Sequence, residues 1–128
     1  MKTKNKKMEK AILYTRVSRG EVIDPKDSLD SQEEQLNEYC LENEIEVIQV
    51  YKDVASGENF NRPQFLKMYL NIRSGREKAN LLLFTSFDKF CSNLIEHKKM
   101  YEHLIELEIT PKGIEQVNVC FIQIIKKD

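Results

Sequence analysis

The chain has 128 residues, 41% hydrophobic and 32% charged, the composition of one ordinary globular domain with a single core. Its formal net charge is −1. A stand-alone, high-affinity DNA binder usually carries a basic excess, so contact with nucleic acid would need local positive clusters or a partner domain. No apolar run approaches the roughly 20 residues of a membrane span. No apolar stretch follows the basic start as a secretory signal requires, so a cytoplasmic protein without membrane contact is expected.

Lysines at positions 2, 4, 6, 7 and 10 mark residues 1–10 as a flexible, solubilising tail, or alternatively as a non-specific phosphate-binding arm. Residues 11–128 form the domain. Ala11–Val17 begins as an apolar run and predicts a buried strand. Ser18–Asp27 is a polar loop, and a helical pattern starts at Ser28 with Leu29, Leu36, Tyr39 and Cys40 on one face. Asp30/Glu33 and Ser31/Glu34 both have capping-box spacing, which leaves its first residue open. Ile45–Tyr51 is β-branched and predicts a second strand. A polar loop over Asp53–Arg62 leads to Pro63, suited to a first helical turn, with Phe65, Leu66, Tyr69, Leu70 and Ile72 as the apolar face and Gly75 as the C-terminal cap. Leu81–Thr85 predicts a third buried strand. Near-helical spacing of Phe90, Leu94, Tyr101, Leu104 and Ile105 predicts one helix over about 90–107, broken by Thr110–Gly113. Ile114–Ile125 is strand-like, with Val117, Val119 and Phe121 alternating.

Strands alternating with helices predict an α/β domain: three layers, a largely parallel central sheet of four to five strands, and helices on both faces. Such sheets place ligands outside the carboxyl ends of their strands. Arg16 and Ser18 follow the first strand, Asp53 the second, Ser86 and Asp88 the third, so one site built from these loops is expected. In extended backbone Arg16 and Ser18 point to one side. A serine hydroxyl attacks only when a base or a field of positive charge helps it lose its proton. No Gly-x-Ser-x-Gly elbow surrounds Ser18 and neither histidine falls in a site loop, which argues against a Ser-His-Asp hydrolase. Arginines instead grip phosphate and stabilise charge on its oxygens; Arg16, Arg19 and Arg62 could converge on Ser18, or could be solvated surface charges. Cys40, Cys91 and Cys120 form no CxxC pair and no metal spacing with His97 or His103, so they are read as reduced, packed thiols.

Four segments in order resemble serine site-specific recombinases of the resolvase/invertase type. Tyr14-Thr15-Arg16-Val17-Ser18 looks like that family's Y-x-R-V-S motif. Ser28-Leu29-Asp30-Ser31-Gln32 resembles its S-L-x-x-Q helix start, after a longer loop than in small resolvases. Asp53-Val54-Ala55-Ser56-Gly57 with Arg62-Pro63 is similar to D-x-x-S-G…R-P, and Leu83–Phe90 looks like the strand leading into Asp-Arg-Leu/Phe. The resemblance implies a resolvase-like catalytic domain in which Ser18 attacks a DNA phosphodiester, leaving a 5′-phosphoserine link and a free 3′-hydroxyl. It implies Arg16, Arg62, Asp88, Lys89 and Gln32 as the other site residues, and neither metal nor nucleotide cofactor. Asp88 would hold an arginine or handle a proton.

The match has two departures. The family's Asp-Arg-Leu/Phe-x-Arg reads Asp88-Lys89-Phe90-Cys91-Ser92 here; Lys89 lacks the planar fork and Ser92 lacks the charge. The family's long dimerisation helix and separate DNA-binding domain have no counterpart before Asp128. The expected partners are therefore DNA, bound weakly without that domain, and either a second copy of the chain or a full-length recombinase. Two other readings stand beside the enzyme: a catalytically impaired module acting through protein–protein contacts, and an unrelated flavodoxin-like or receiver-like phosphate-binding domain. The second lacks both an acidic cluster after the first strand and a Gly-rich phosphate loop.

Overall fold

A computed structural model describes residues 8–20 and 24–115. The expected strand over 114–125 lies almost wholly outside them, as do Cys120 and the first seven residues.

Strand β1 spans Lys10–Val17, and every residue from Ala11 onward is buried. Its two faces are both apolar, as a central parallel strand requires. After a single 3-10 turn at Pro25–Asp27, helix α1 runs over Leu29–Glu42. Ser28 settles where it starts: its Oγ accepts from the Ser31 amide at 3.1 Å, the usual N-cap bond. Strand β2 (Glu46–Val54) runs three residues past the expected end, so Asp53 lies within the strand and is buried. Helix α2 (Pro63–Arg73) begins on its proline, and Gly75 beyond its end takes φ +83°, the left-handed conformation that closes helices at little cost for glycine. Strand β3 is Leu81–Phe84.

Beyond β3 the chain departs from expectation. In place of one helix over 90–107 there are two: a single turn α3 (Phe87–Phe90) and α4 (Leu94–Glu106). Asn93 starts the second, its side-chain oxygen accepting from the Glu96 amide at 3.1 Å; a capping residue inside an apolar period ends one helix and begins another. Thr110–Gly113, expected as a break only, is strand β4. Among the described residues β4 lies at the sheet edge and pairs on one side, a place where Pro111 is tolerated.

All pairings are parallel, in the order β2-β1-β3-β4. Side chains alternate across this sheet. Ala11, Leu13 and Leu83 pack with Leu36 and Cys40 of α1 on one face; Ile12, Tyr14, Leu82 and Phe84 pack with Phe65, Met68, Phe90 and Leu104 on the other. The result is the expected three layers with helices on both faces. The helix faces depart from the expected ones where the strands do not. On α2 the buried residues are Phe65 and Met68, whereas Leu66 and Leu70 are exposed; on α4 they are His97 and Leu104, whereas Ile105 is exposed.

No helix among the described residues is long and apolar enough to cross a membrane. Cys40 and Cys91 are buried free thiols, and burial pushes both up from the usual thiol range, which leaves them protonated and unreactive.

His97 sits edge-on to Phe90, ring centroids 4.6 Å apart, and burial lowers its pKa to about 4. Its folded pKa lies below its unfolded one, so the stability it permits is complete above about pH 6.5 and falls as pH drops through about 4. An NMR titration of the His97 ring protons should show a neutral imidazole throughout pH 5–8.

Candidate active site

Strand order reverses between β1 and β3, because the chain leaves β1 for β2 on one side and returns for β3 on the other. The crevice at the carboxyl ends of β1, β2 and β3 is therefore the place where an α/β sheet offers a site. A cleft of about 540 Å³ opens there. Ser18, Arg16 and Arg19 from the end of β1 line it, with Ser56, Gly57 and Glu58 after β2 and Asp88, Lys89 and Ser92 after β3. Asp24 and Asp27 of the long β1–α1 loop complete its wall.

Arg16 is the floor of this cleft and is only 4% exposed. Its Nη1 donates to Ser18 Oγ at 3.0 Å and to the Ala55 carbonyl at 2.7 Å. Nη2 donates to the Asp88 carbonyl at 2.9 Å and Nε to the Lys89 carbonyl at 3.1 Å. Those last two acceptors exist because α3 stops after one turn. The final carbonyls of a helix have no partner within it, and here a guanidinium from β1 supplies the missing donors. Burial lowers the Arg16 pKa from its ordinary value, with the nearby Arg62 charge as the next cause; a guanidinium nevertheless stays charged in proteins.

Arg62 lies behind this floor, fully buried, and does not line the cleft. Its Nε donates to the carbonyls of Ser56 (3.2 Å) and Asn59 (2.9 Å). Its Nη1 reaches the Tyr14 hydroxyl and the Lys89 carbonyl, each at 3.4 Å. Phe60 covers the guanidinium, 4.7 Å from its ring centroid, a cation–π contact that partly replaces lost water. Nη2 has no hydrogen-bond partner among the described residues. Lys89's carbonyl thus joins both arginines, and among the described residues neither is in an ion pair; the ion pairs present involve Lys52 and Lys89. Two cations held by neutral carbonyls leave a positive potential under Ser18 that a carboxylate partner would have cancelled.

Asp53, expected in a loop beside the cleft, is instead the support for Arg62. Its carboxylate accepts from the Tyr14 hydroxyl (2.8 Å) and from the amides of Gln64 (3.0 Å) and Phe65 (2.9 Å). It thereby caps α2 from outside the helix, where Arg62, the N-cap residue, makes no capping bond of its own. A carboxylate at a helix N-terminus is favoured by the exposed amides and the dipole. Burial pushes the Tyr14 phenol up, so it stays a donor to Asp53.

Gln32 also stands behind the cleft. Its side chain clamps the Arg16 backbone, accepting from the amide at 3.1 Å and donating to the carbonyl at 2.9 Å, and it donates to the Asp27 carbonyl at 2.7 Å. It fixes where β1 ends and how the β1–α1 loop returns. Of the expected site residues, then, Ser18, Arg16, Asp88 and Lys89 share the cleft, and Arg62 and Gln32 hold it from behind. Asp88 and Lys89 face each other, Nζ 3.6 Å from Oδ2, and the Ser86 hydroxyl donates to the other Asp88 oxygen. The Lys89 carbonyl is beyond sequence reading, since carbonyl acceptors leave no trace in residue type, and Gly57 is legible only as part of the D-x-x-S-G segment.

Residues 11–115 match the resolvase N-terminal domain family. The chain belongs to that family. The fold is shared with the N-terminal catalytic domain of TP901-1 integrase (21% identity, TM-score 0.73, 91% of each chain covered). It is shared too with a resolvase family site-specific recombinase from Streptococcus pneumoniae (18%, TM-score 0.69, 91% of this chain and 83% of that one). A serine recombinase from Sulfolobus solfataricus is 26% identical at TM-score 0.67, covering 88% of this chain and 71% of that one. No curated protein matches. The strand order 2-1-3-4 is also the flavodoxin-like one, so it is the family match over residues 11–115 that sets the flavodoxin-like and receiver-like alternatives aside.

Gln32→Ala should leave the buried Arg16 amide and carbonyl without partners, at about 1–3 kcal/mol for the unsatisfied groups. Urea unfolding should show that loss, and Asp53→Ala, which orphans Tyr14 and two amides, should show at least as much.

Proposed function

We propose that the chain is the catalytic domain of a site-specific serine recombinase, cutting and rejoining DNA through Ser18. The observation that carries this reading is the 3.0 Å hydrogen bond from Arg16 Nη1 to Ser18 Oγ, set over two buried guanidiniums. A donor on the hydroxyl oxygen favours its deprotonated, nucleophilic form. The same positive field favours approach of a phosphodiester and the extra charge of its crowded transition state. Ser18 Oγ bonds to phosphorus, the bond to the DNA 3′ oxygen breaks, and that oxygen takes up a proton. The product is a 5′-phosphoserine and a free 3′-hydroxyl; the reverse step rejoins a strand. Ser18 is the nucleophile and Arg16 its activating donor. Asp88 and Lys89 act on the phosphate side, Arg62 and Gln32 behind it, with no metal or nucleotide cofactor.

DNA binding by the domain is weak, since a net charge near zero provides few phosphate contacts. The working assembly is a second copy of the chain or a longer recombinase bearing a DNA-binding domain. The reaction takes place in the cytoplasm. The lysine-rich N-terminal stretch precedes the catalytic domain, whose first strand takes in Lys10.

One observation favours a second reading. Lys89 is drawn to Asp88 and Ser92 carries no charge, so the α3 side of the cleft presents no guanidinium; Arg19, the exposed one on the β1 side, donates to the Val54 carbonyl. A resolvase-like module that has lost catalysis and pairs with an active recombinase would look like this.

Incubation with supercoiled DNA carrying a candidate site, followed by denaturant, should trap protein on 5′ ends. Ser18→Ala should abolish the adduct, and Arg16→Ala should slow it by about 10²–10³. The double variant Lys89→Arg, Ser92→Arg should raise its yield. No adduct from the chain or from that double variant would favour the pairing module.

A further inference from the structure

Gly57 has no positive φ to explain it; among the described residues the positive-φ glycines are Gly20 and Gly75. Space explains it instead. A Cβ at position 57 would lie 2.8 Å from Arg16 Nη2, 3.1 Å from Arg16 Cζ and 3.1 Å from Ser92 Oγ. Contacts under 3 Å force a neighbour to move. Arg16 is not free to do so, because the Ala55, Asp88 and Lys89 carbonyls hold its guanidinium from three sides. The 56–58 loop is equally fixed: the Ser92 amide donates to the Gly57 carbonyl at 2.8 Å, tying the loop after β2 to the segment that separates α3 from α4. By contrast, a Cβ at Gly20 or Gly75 meets nothing within 4 Å.

We propose that Gly57 is a positioning residue for Ser18. Its bare backbone, pinned by Ser92, closes the fourth side of the seat that holds Arg16 against the serine hydroxyl. It acts on the serine through the guanidinium. A methyl at this position pushes Nη2 out of the seat, and Nη1, rigidly coupled to it, leaves Ser18 Oγ. A near-attack arrangement tolerates little displacement, since about 1 Å can cost ~10² in rate. The catalytic part of this inference rests on the recombinase reading; the seat itself does not.

The test is Gly57→Ala, read in two ways. NMR of the Arg16 Nε–H, whose bond to the Lys89 carbonyl shields it from exchange, reports the seat without any DNA. The rate of covalent adduct formation on supercoiled DNA reports the consequence. The expected result is loss of the protected Nε–H signal and a fall in adduct rate of about 10²-fold, with DNA affinity within about twofold of the parent chain, since a guanidinium displaced inside the cleft keeps its charge. Ser92→Ala added to Gly57→Ala should restore neither, because Arg16 and not Ser92 is the neighbour that cannot give. An unchanged Nε–H signal or an unchanged adduct rate in Gly57→Ala overturns the proposal. If Gly57→Ala fails to fold, Arg16→Lys in the same background, which removes Nη2, should restore folding; failure to do so overturns the proposal. If the parent chain forms no adduct, the recombinase reading falls, and the Nε–H comparison alone decides the seat.

Discussion

A helix that stops after one turn organises this site. Helix α3 ends at Phe90, and the carbonyls of Asp88 and Lys89 are left facing the sheet without amides to meet them. Arg16 supplies the donors from the end of β1, and Arg62 adds a second bond to the Lys89 carbonyl. Everything else in the cleft follows from that constraint. Arg16 must lie flat under the α3 turn to reach both carbonyls, and in that pose its Nη1 meets Ser18. Had α3 run on into α4, those carbonyls would have been consumed within the helix and the guanidinium would have had no such seat.

The energetic consequence is a charge arrangement unlike an ordinary salt bridge. A buried arginine is expensive to desolvate, and a carboxylate partner normally offsets part of that cost. Here the compensation comes from carbonyl dipoles, an aromatic face and a tyrosine hydroxyl, all neutral. The one buried carboxylate nearby, Asp53, is occupied by Tyr14 and the first turn of α2. The positive charge under Ser18 is therefore supported without being neutralised. That is the condition for stabilising an anion that appears only during a reaction.

The order of elements, the parallel sheet and the position of the site at its carboxyl edge were legible because strands buried on both faces write continuous apolar runs and because loop chemistry follows topology. Arg16 and Ser18 could be paired from their spacing of two on extended backbone. The roles of Arg62, Asp53 and Gln32 could not be read in this way, since a polar side chain in a loop-like stretch looks the same whether it faces solvent or supports a neighbour from within. The break at Cys91–Asn93 was hidden by an apolar period that continues across it; only Asn93, a capping residue, marked the restart. The strand at Thr110–Gly113 was masked by proline and glycine, which read as punctuation but are permitted at a sheet edge.

This packing singles out one hydroxyl among several. Ser56 and Ser92 line the same cleft, yet among the described residues only the Ser18 hydroxyl accepts from a guanidinium. Mass spectrometry of the protein after trapping on DNA and digestion of the strand would locate the retained phosphate. It should lie on the peptide bearing Ser18, at that residue. Phosphate on Ser56 or Ser92, or adduct that persists in Ser18→Ala, would contradict it.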